Sequence, residues 1–252
     1  MPWGGLRLAV TLLTAIPLPG RRGSLAAPDR NTAAAAMYWA PAVGLLAGGV
    51  SAGVLLLASR IGHTGPLLAA VLAISAGAVL TRALHLDGLA DFADGLGSGR
   101  PADQALDIMK RSDIGPFGVV ALVLVLLLQV SALARAQALG RGPLAITAAA
   151  VAARLAITLA CRRGVPGARP GGLGALVAGS VRVVPVAVLT LATLAAAGVL
   201  GWIYAVAIAA GLAVSAAATM LAVRRLGGIT GDVLGAVAEI TATVCLVVTA
   251  LR

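Results

Sequence analysis

The sequence predicts an all-α fold: a polytopic transmembrane helical bundle of about seven spans plus an N-terminal re-entrant or interfacial helix. Three observations carry this. The chain is 60% hydrophobic with a mean hydropathy of +1.02 and only 11% charged residues, against about 25% in soluble domains. Its apolar runs reach the roughly 20 residues that a helix needs to cross about 30 Å of hydrocarbon. Its basic residues fall in short connections between those runs, as the positive-inside rule expects. Few aromatics (3%) and 32 glycines suit helices that approach one another closely.

Residues 3–18 are too short and too broken by proline to span, and read as the re-entrant or interfacial helix. GLRLAVTLLTAIPLPG resembles a secretory signal in outline, but no clear small-x-small cleavage site follows, so it is expected to stay in place. The spans are expected at about 33–58, 66–84, 115–138, 143–161, 183–200, 202–222 and 233–251. The second leads straight into an acidic stretch. The fifth and sixth are separated by almost nothing.

Orientation follows from Arg and Lys in the short loops. Connections 20–32, 85–114, 162–182 and 223–232 hold Arg21, Arg22, Arg30, Arg100, Lys110, Arg111, Arg162, Arg163, Arg169, Arg182, Arg224 and Arg225. The alternate connections hold Arg60 and Arg141, with Arg252 at the tail. The first set is therefore expected in the cytoplasm. This distribution also turns the net charge of +10 away from nucleic acid, because no long basic tract exists. Cys161 and Cys245 lie at or within apolar runs without CxxC pairing, and read as inert packing residues.

Three of the nine acidic residues gather in HLDGLADFADGLGSGR, 85–100. Asp87, Asp91 and Asp94 are spaced i, i+4, i+7, within about 60° on one helix face. Surface faces usually mix lysine with their acids. Carboxylates alone on one face repel, and a divalent cation relieves that repulsion. All-oxygen donors, with no His or Cys cluster beside them, select Mg²⁺ or Mn²⁺ over zinc. Farther along, GGITGDVLGAVAEI places Asp232 and Glu239 at i, i+7, with Thr230–Asp232 reading as a helix N-cap and Glu239 about 10 Å deeper. An ionisable group inside a span is a functional candidate. Between the two groups lies DIMKRSDIGPFG. Lys110 and Arg111 offer cations for phosphate, Asp113 is either a further ligand or the cap of the third span, and Pro116 fits that helix's first turn. Asp29, Asp103 and Asp107 read as loop charges. His85, beside the acids, is either a hydrogen-bonding site residue or a bystander; His63 falls on the opposite side and takes no role.

Carboxylate-held divalent ions with Arg and Lys nearby are the apparatus of displacement at phosphorus, and a carboxylate not needed for metal can accept the proton of an attacking hydroxyl. The residues alone thus describe a membrane-embedded, metal-dependent phosphotransferase facing the cytoplasm, organised as one domain over 1–252 with its site in loops 85–115, 162–182 and 223–240.

These motifs resemble the cobalamin synthase family, the adenosylcobinamide-GDP ribazoletransferases. The resemblance rests on HLDGLADFADGLG with IMKRSDIGPFG, and on GGITGDVLGA with Glu239. LLTAIPLP, MYWAPAVGLLAGG, and Arg154 followed by ARPGGLG at 168–174 resemble further family segments. The resemblance implies transfer from adenosylcobinamide-GDP to α-ribazole or its 5′-phosphate with release of GMP, Mg²⁺ as cofactor, and a place in the cell inner membrane. It also implies Asp87, Asp91, Asp94 and Asp232 as metal ligands, and Asp94, Asp232 and Glu239 as catalytic carboxylates. His85, Lys110, Arg111, Asp113, Arg154 and Arg169 become substrate contacts. Many members read KDSRIG where this chain reads Lys110-Arg111-Ser112-Asp113-Ile114-Gly115, which leaves the role of Asp113 open.

Two rival readings fit less well. A CDP-alcohol phosphotransferase of lipid synthesis shares the metal chemistry, but its acidic residues are more widely spaced. An ion-coupled transporter wants acids near the midplane and often inverted repeats, and neither pattern is visible. Membrane lipids are expected partners, nucleic acid is not, and small-residue helix faces suit a homo-oligomer.

Overall fold

The computed structural model describes residues 2–17, 29–61 and 64–251. Expectations that fall on Arg21, Arg22, His63, Arg252 and the end of LLTAIPLP lie outside the described residues. Helices account for every regular element among those residues, and the only strand-like pairings there are two isolated bridges, Arg162 with Val181 and Gly167 with Ile229. The all-α expectation holds.

Helix α1 (Pro2–Leu13) is too short to span and packs on α2 (Arg30–Ile61). Asp29 opens α2 by accepting the Thr32 N–H at 2.7 Å, a conventional cap that fits its reading as a loop charge. Among the described residues, six helices are long and apolar enough to cross a membrane. They are α2, α6 (Pro116–Ala138), α7 (Gly142–Ala160), α9 (Val183–Leu200), α10 (Trp202–Leu226) and α11 (Gly231–Ala250). Each covers one predicted run.

The second predicted run, 66–84, is met by a bent pair of helices rather than one straight helix, and counts as a seventh span if the pair is taken as one. Helix α3 (Pro66–Leu80) stops four residues early, and α4 (Leu84–Gly97) leaves it at 88°. The corner is made by Arg82 and Ala83, both with φ of 54°. No glycine or proline marks it, so the apolar pattern ran on through the bend. The remaining helices among the described residues are short, α5 (Ala102–Ile108) and α8 (Gly172–Val177).

The core forms around α11, which packs on α4, α6, α7 and α10. Helix α7 joins it to α2, whose Gly44 and Gly48 lie against the backbone of Thr147, Ala150 and Val151. Small side chains bring helix backbones close and let dispersion replace the hydrophobic drive that lipid does not supply. Thr158 fixes the α2–α7 contact by donating to the Met37 carbonyl at 2.7 Å. Apolar side chains instead face outward on α6 (Val123, Leu124, Leu127) and α9 (Val184, Val188, Leu191), which suits a hydrocarbon surround. Both cysteines are buried and free.

Candidate active site

The acidic helix reaches α11 through a backbone contact that only small residues permit. A Cβ at Gly88 would lie 2.7 Å from the Asp232 carbonyl oxygen, and one at Gly235 would lie 3.1 Å from the His85 Cα. Helix α4 therefore lies directly on the first turns of α11, and Asp87 and Asp91 come opposite Asp232. Asp91 is half-buried; Asp232, Asp87 and Asp94 repel its charge, and Arg169 attracts it. Asp232 likewise senses Arg169 and Asp87. Segments more than 130 positions apart in the chain thus share one electrostatic site.

Two backbone bonds deliver Arg169. Ile229 N–H donates to the Pro166 carbonyl at 2.9 Å, and Ala168 N–H donates to the Ile229 carbonyl at 3.0 Å. This short ladder ties the glycine-rich loop to the turn before α11. The Arg169 guanidinium also donates to the Leu106 carbonyl, while its Nε is buried without a partner. Asp232 sits on α11's first turn, where Thr230 is the N-cap. The Thr230 hydroxyl accepts the Val233 N–H at 3.2 Å and donates to Asp232 at 3.1 Å, as the sequence signature suggested.

Asp94 behaves differently from its neighbours. It is 8% exposed, and its two oxygens accept the Gly115 N–H at 2.7 Å and the Gly118 N–H at 2.9 Å. It caps α6 from another helix, anchoring α4 to α6 with a charge at the positive end of the helix dipole. The glycines leave room for the carboxylate, since a Cβ on either would collide with it. The cap of the third predicted span is thus Asp94, not Asp113. Asp113, Lys110 and Arg111 lie exposed on the loop before α6, and Lys110 pairs with Asp107 at 3.2 Å.

Glu239 and Arg154 are not brought to the acids. Glu239 accepts the Gln129 amide at 2.8 Å inside the bundle, and Gln129 also donates to the Thr243 hydroxyl at 3.0 Å. Arg154, 8% exposed, is the cation facing Glu239. Together they line an inner cavity of about 80 Å³. His85 lies between the two regions. It lines both this cavity and a larger one of about 310 Å³ that opens beside Asp232 and Arg169, and its Nε2 is buried without a partner. Gln129 and Thr243 were missed by sequence reading. A lone glutamine in LVLVLLLQVSALA, and a threonine four positions after Glu239, were the available signals.

Among the described residues, no three His, Cys, Asp or Glu side chains form a ready cage for a metal ion. Magnesium seldom uses such a cage; it keeps waters and takes one or two carboxylates plus substrate phosphates. Asp87, Asp91 and Asp232 offer oxygen donors and mutual repulsion that a cation would offset, so the donor set fits that ion. Asp94 is the weakest ligand candidate, because both of its oxygens are engaged.

The family model for cobalamin-5-phosphate synthase matches residues 5–250. The chain is 44% identical to an adenosylcobinamide-GDP ribazoletransferase of Frankia casuarinae, over 97% of this chain and 94% of that protein. It is 42% identical to one of Bradyrhizobium diazoefficiens, over 97% and 92% of the two chains. It is 38% identical to one of Chlorobaculum tepidum, over 94% and 91%. No solved structure matches it. With its acids and its glycine-rich loop falling inside the matched span, the chain belongs to the cobalamin-5-phosphate synthase family and is a transferase.

Proposed function

We propose that this protein transfers the adenosylcobinamide phosphoryl group from adenosylcobinamide-GDP to α-ribazole or its 5′-phosphate, at the cytoplasmic face of the cell membrane. The observation that carries this reading is the convergence of Asp87 and Asp91 with Asp232 and Arg169 at one edge of the bundle. Both the acidic and the basic loops belong to the set richest in Arg and Lys, which supports the cytoplasmic side.

A ribose hydroxyl of the acceptor attacks the phosphorus that bears the corrinoid. The bond from that phosphorus to the bridging oxygen breaks, and GMP leaves. Asp232 takes the hydroxyl proton. Among the three catalytic candidates it alone lines the larger cavity, and one hydrogen bond from Thr230 leaves it acceptor capacity. Asp94 keeps its structural bonds, and Glu239 acts from a separate layer. Arg169 holds the diphosphate against the acids. Asp87 and Asp91 would hold Mg²⁺, which when bound supplies charge neutralisation at the phosphoryl oxygens.

The test is GMP release from adenosylcobinamide-GDP and α-ribazole by the detergent-solubilised protein, with and without Mg²⁺. Release that needs both acceptor and Mg²⁺ is expected. No release with these substrates, but turnover of a CDP-alcohol, would overturn the reading.

A further inference from the structure

The larger cavity has two unlike ends. Its buried wall is built from Leu13, Met37, Ile157, Ile229 and Leu234, side chains with no strong hydrogen-bond donor or acceptor. Its mouth carries Asp232 and Arg169, the residues that share charge with the acidic helix. Two deeply buried polar residues line it: Thr230, whose hydroxyl is engaged by Val233 N–H and Asp232, and His85, 3% exposed with Nε2 unpartnered. A buried unpaired ring nitrogen is costly and rare, so it calls for a partner that the protein does not supply.

We infer that this cavity is the seat of the acceptor's base: the apolar aromatic base of α-ribazole enters it, and the guanine of the donor does not. This rests on the function proposed above. Both bases are flat bicycles of similar size, so chemistry decides between them. Guanine carries a carbonyl and several N–H groups along its edge, each of which would lose water against an alkyl wall without gaining a bond. The dimethylbenzimidazole of ribazole presents two methyl groups and a single free ring nitrogen. The methyls suit Leu13, Met37 and Ile157, and the nitrogen suits the Nε2–H tautomer of His85. With the base seated, the ribose emerges at Asp232, where its hydroxyl must lose a proton. The corrinoid is far larger than about 310 Å³ and stays outside the mouth with the GDP.

Leu12 and Leu173 line the cavity and are only partly buried, so they tolerate enlargement. Leu12→Trp and Leu173→Trp are each expected to raise the KM for α-ribazole at least tenfold while changing that for adenosylcobinamide-GDP less than twofold. A rise in the donor KM with the acceptor KM unchanged, or no change in either, overturns the inference and leaves the proposed function standing. A second arm needs no turnover. The native cysteines are buried, so Leu12→Cys can be labelled with a maleimide. We expect α-ribazole to slow labelling at least fivefold and GMP not to slow it. Protection by GMP, or by neither compound, overturns the inference. Failure of wild-type GMP release would instead fall on the proposed function.

Discussion

The bundle holds two clusters of charge, and they are built on opposite logic. At the edge, Asp87, Asp91 and Asp232 face one another with Arg169 as their neighbouring cation. Inside, Glu239 has a donor in Gln129 at 2.8 Å and a facing cation in Arg154. The inner cluster gives its carboxylate a donor and a facing cation from within the protein, although Arg154 Nε itself is buried without a partner. The edge cluster leaves excess negative charge and free lone pairs, and such a surplus is tolerated where a ligand completes it. Sequence reading grouped all of these acids by spacing and family likeness. The structure separates them by what already neutralises them.

The sharpest way to break this distinction is Asp91→Asn. The proposed chemistry requires GMP release to fall by about 10³-fold or more, the scale on which electrostatic groups at a reacting centre act, while size-exclusion and thermal-unfolding profiles in detergent stay near wild type. Near-normal turnover would remove Asp91 from the mechanism. Arg154→Met tests the other cluster and should give the opposite signature. It removes the cation that faces Glu239 inside the bundle, and stability should drop. The drop reads as a lower Tm, with both KM values close to wild type in whatever protein remains folded. A variant with unchanged Tm and a raised donor KM would return Arg154 to the substrate site.

The spans were legible because length and hydropathy alone decide whether a run can cross the bilayer; this fixes runs such as 143–161 without any knowledge of packing. The corner after Leu80 was not, because two ordinary L-residues, Arg82 and Ala83, adopt a left-handed backbone that neither residue type signals. The i, i+4, i+7 spacing rightly placed three acids on one face of α4. It could not show that Asp94 turns to the α6 N-terminus, a partner 21 to 24 positions on. For Glu239 the angular reading was sound and the axial one decisive. Seven residues is about 10 Å of rise, enough to carry it from the ligand layer into the Gln129 layer.

Gly88→Ala sharpens the comparison by moving one cluster and not the other. Its Cβ would meet the Asp232 carbonyl at 2.7 Å, so α4 must lift away from α11. A shift of about 1 Å at a reacting centre can cost about 10²-fold. We expect kcat to fall by roughly that factor, with Tm lowered only modestly, because the inner cluster is untouched. Full activity would mean that α4 slides without disturbing the acids.

The smallest effect should come from Ala83→Gly, at the corner where α3 hands over to α4. The left-handed conformation, φ 54° at Ala83, costs an L-residue roughly 1–2 kcal/mol, and glycine escapes that cost. Glycine also gives the unfolded chain more freedom, worth about 0.4–1 kcal/mol in the other direction. The net expectation is a slight rise in stability, on the order of 0.5 kcal/mol from those two terms, read as a small increase in Tm. Activity separates two views of the corner. If the α4–α11 contact at Gly88 and the Asp94 cap on α6 hold the acids in place, kcat stays within twofold of wild type. If kcat falls while Tm rises, the stiff backbone at Arg82–Ala83 is itself aiming the carboxylates, and the edge cluster is positioned from both ends of its helix rather than from its packed face alone.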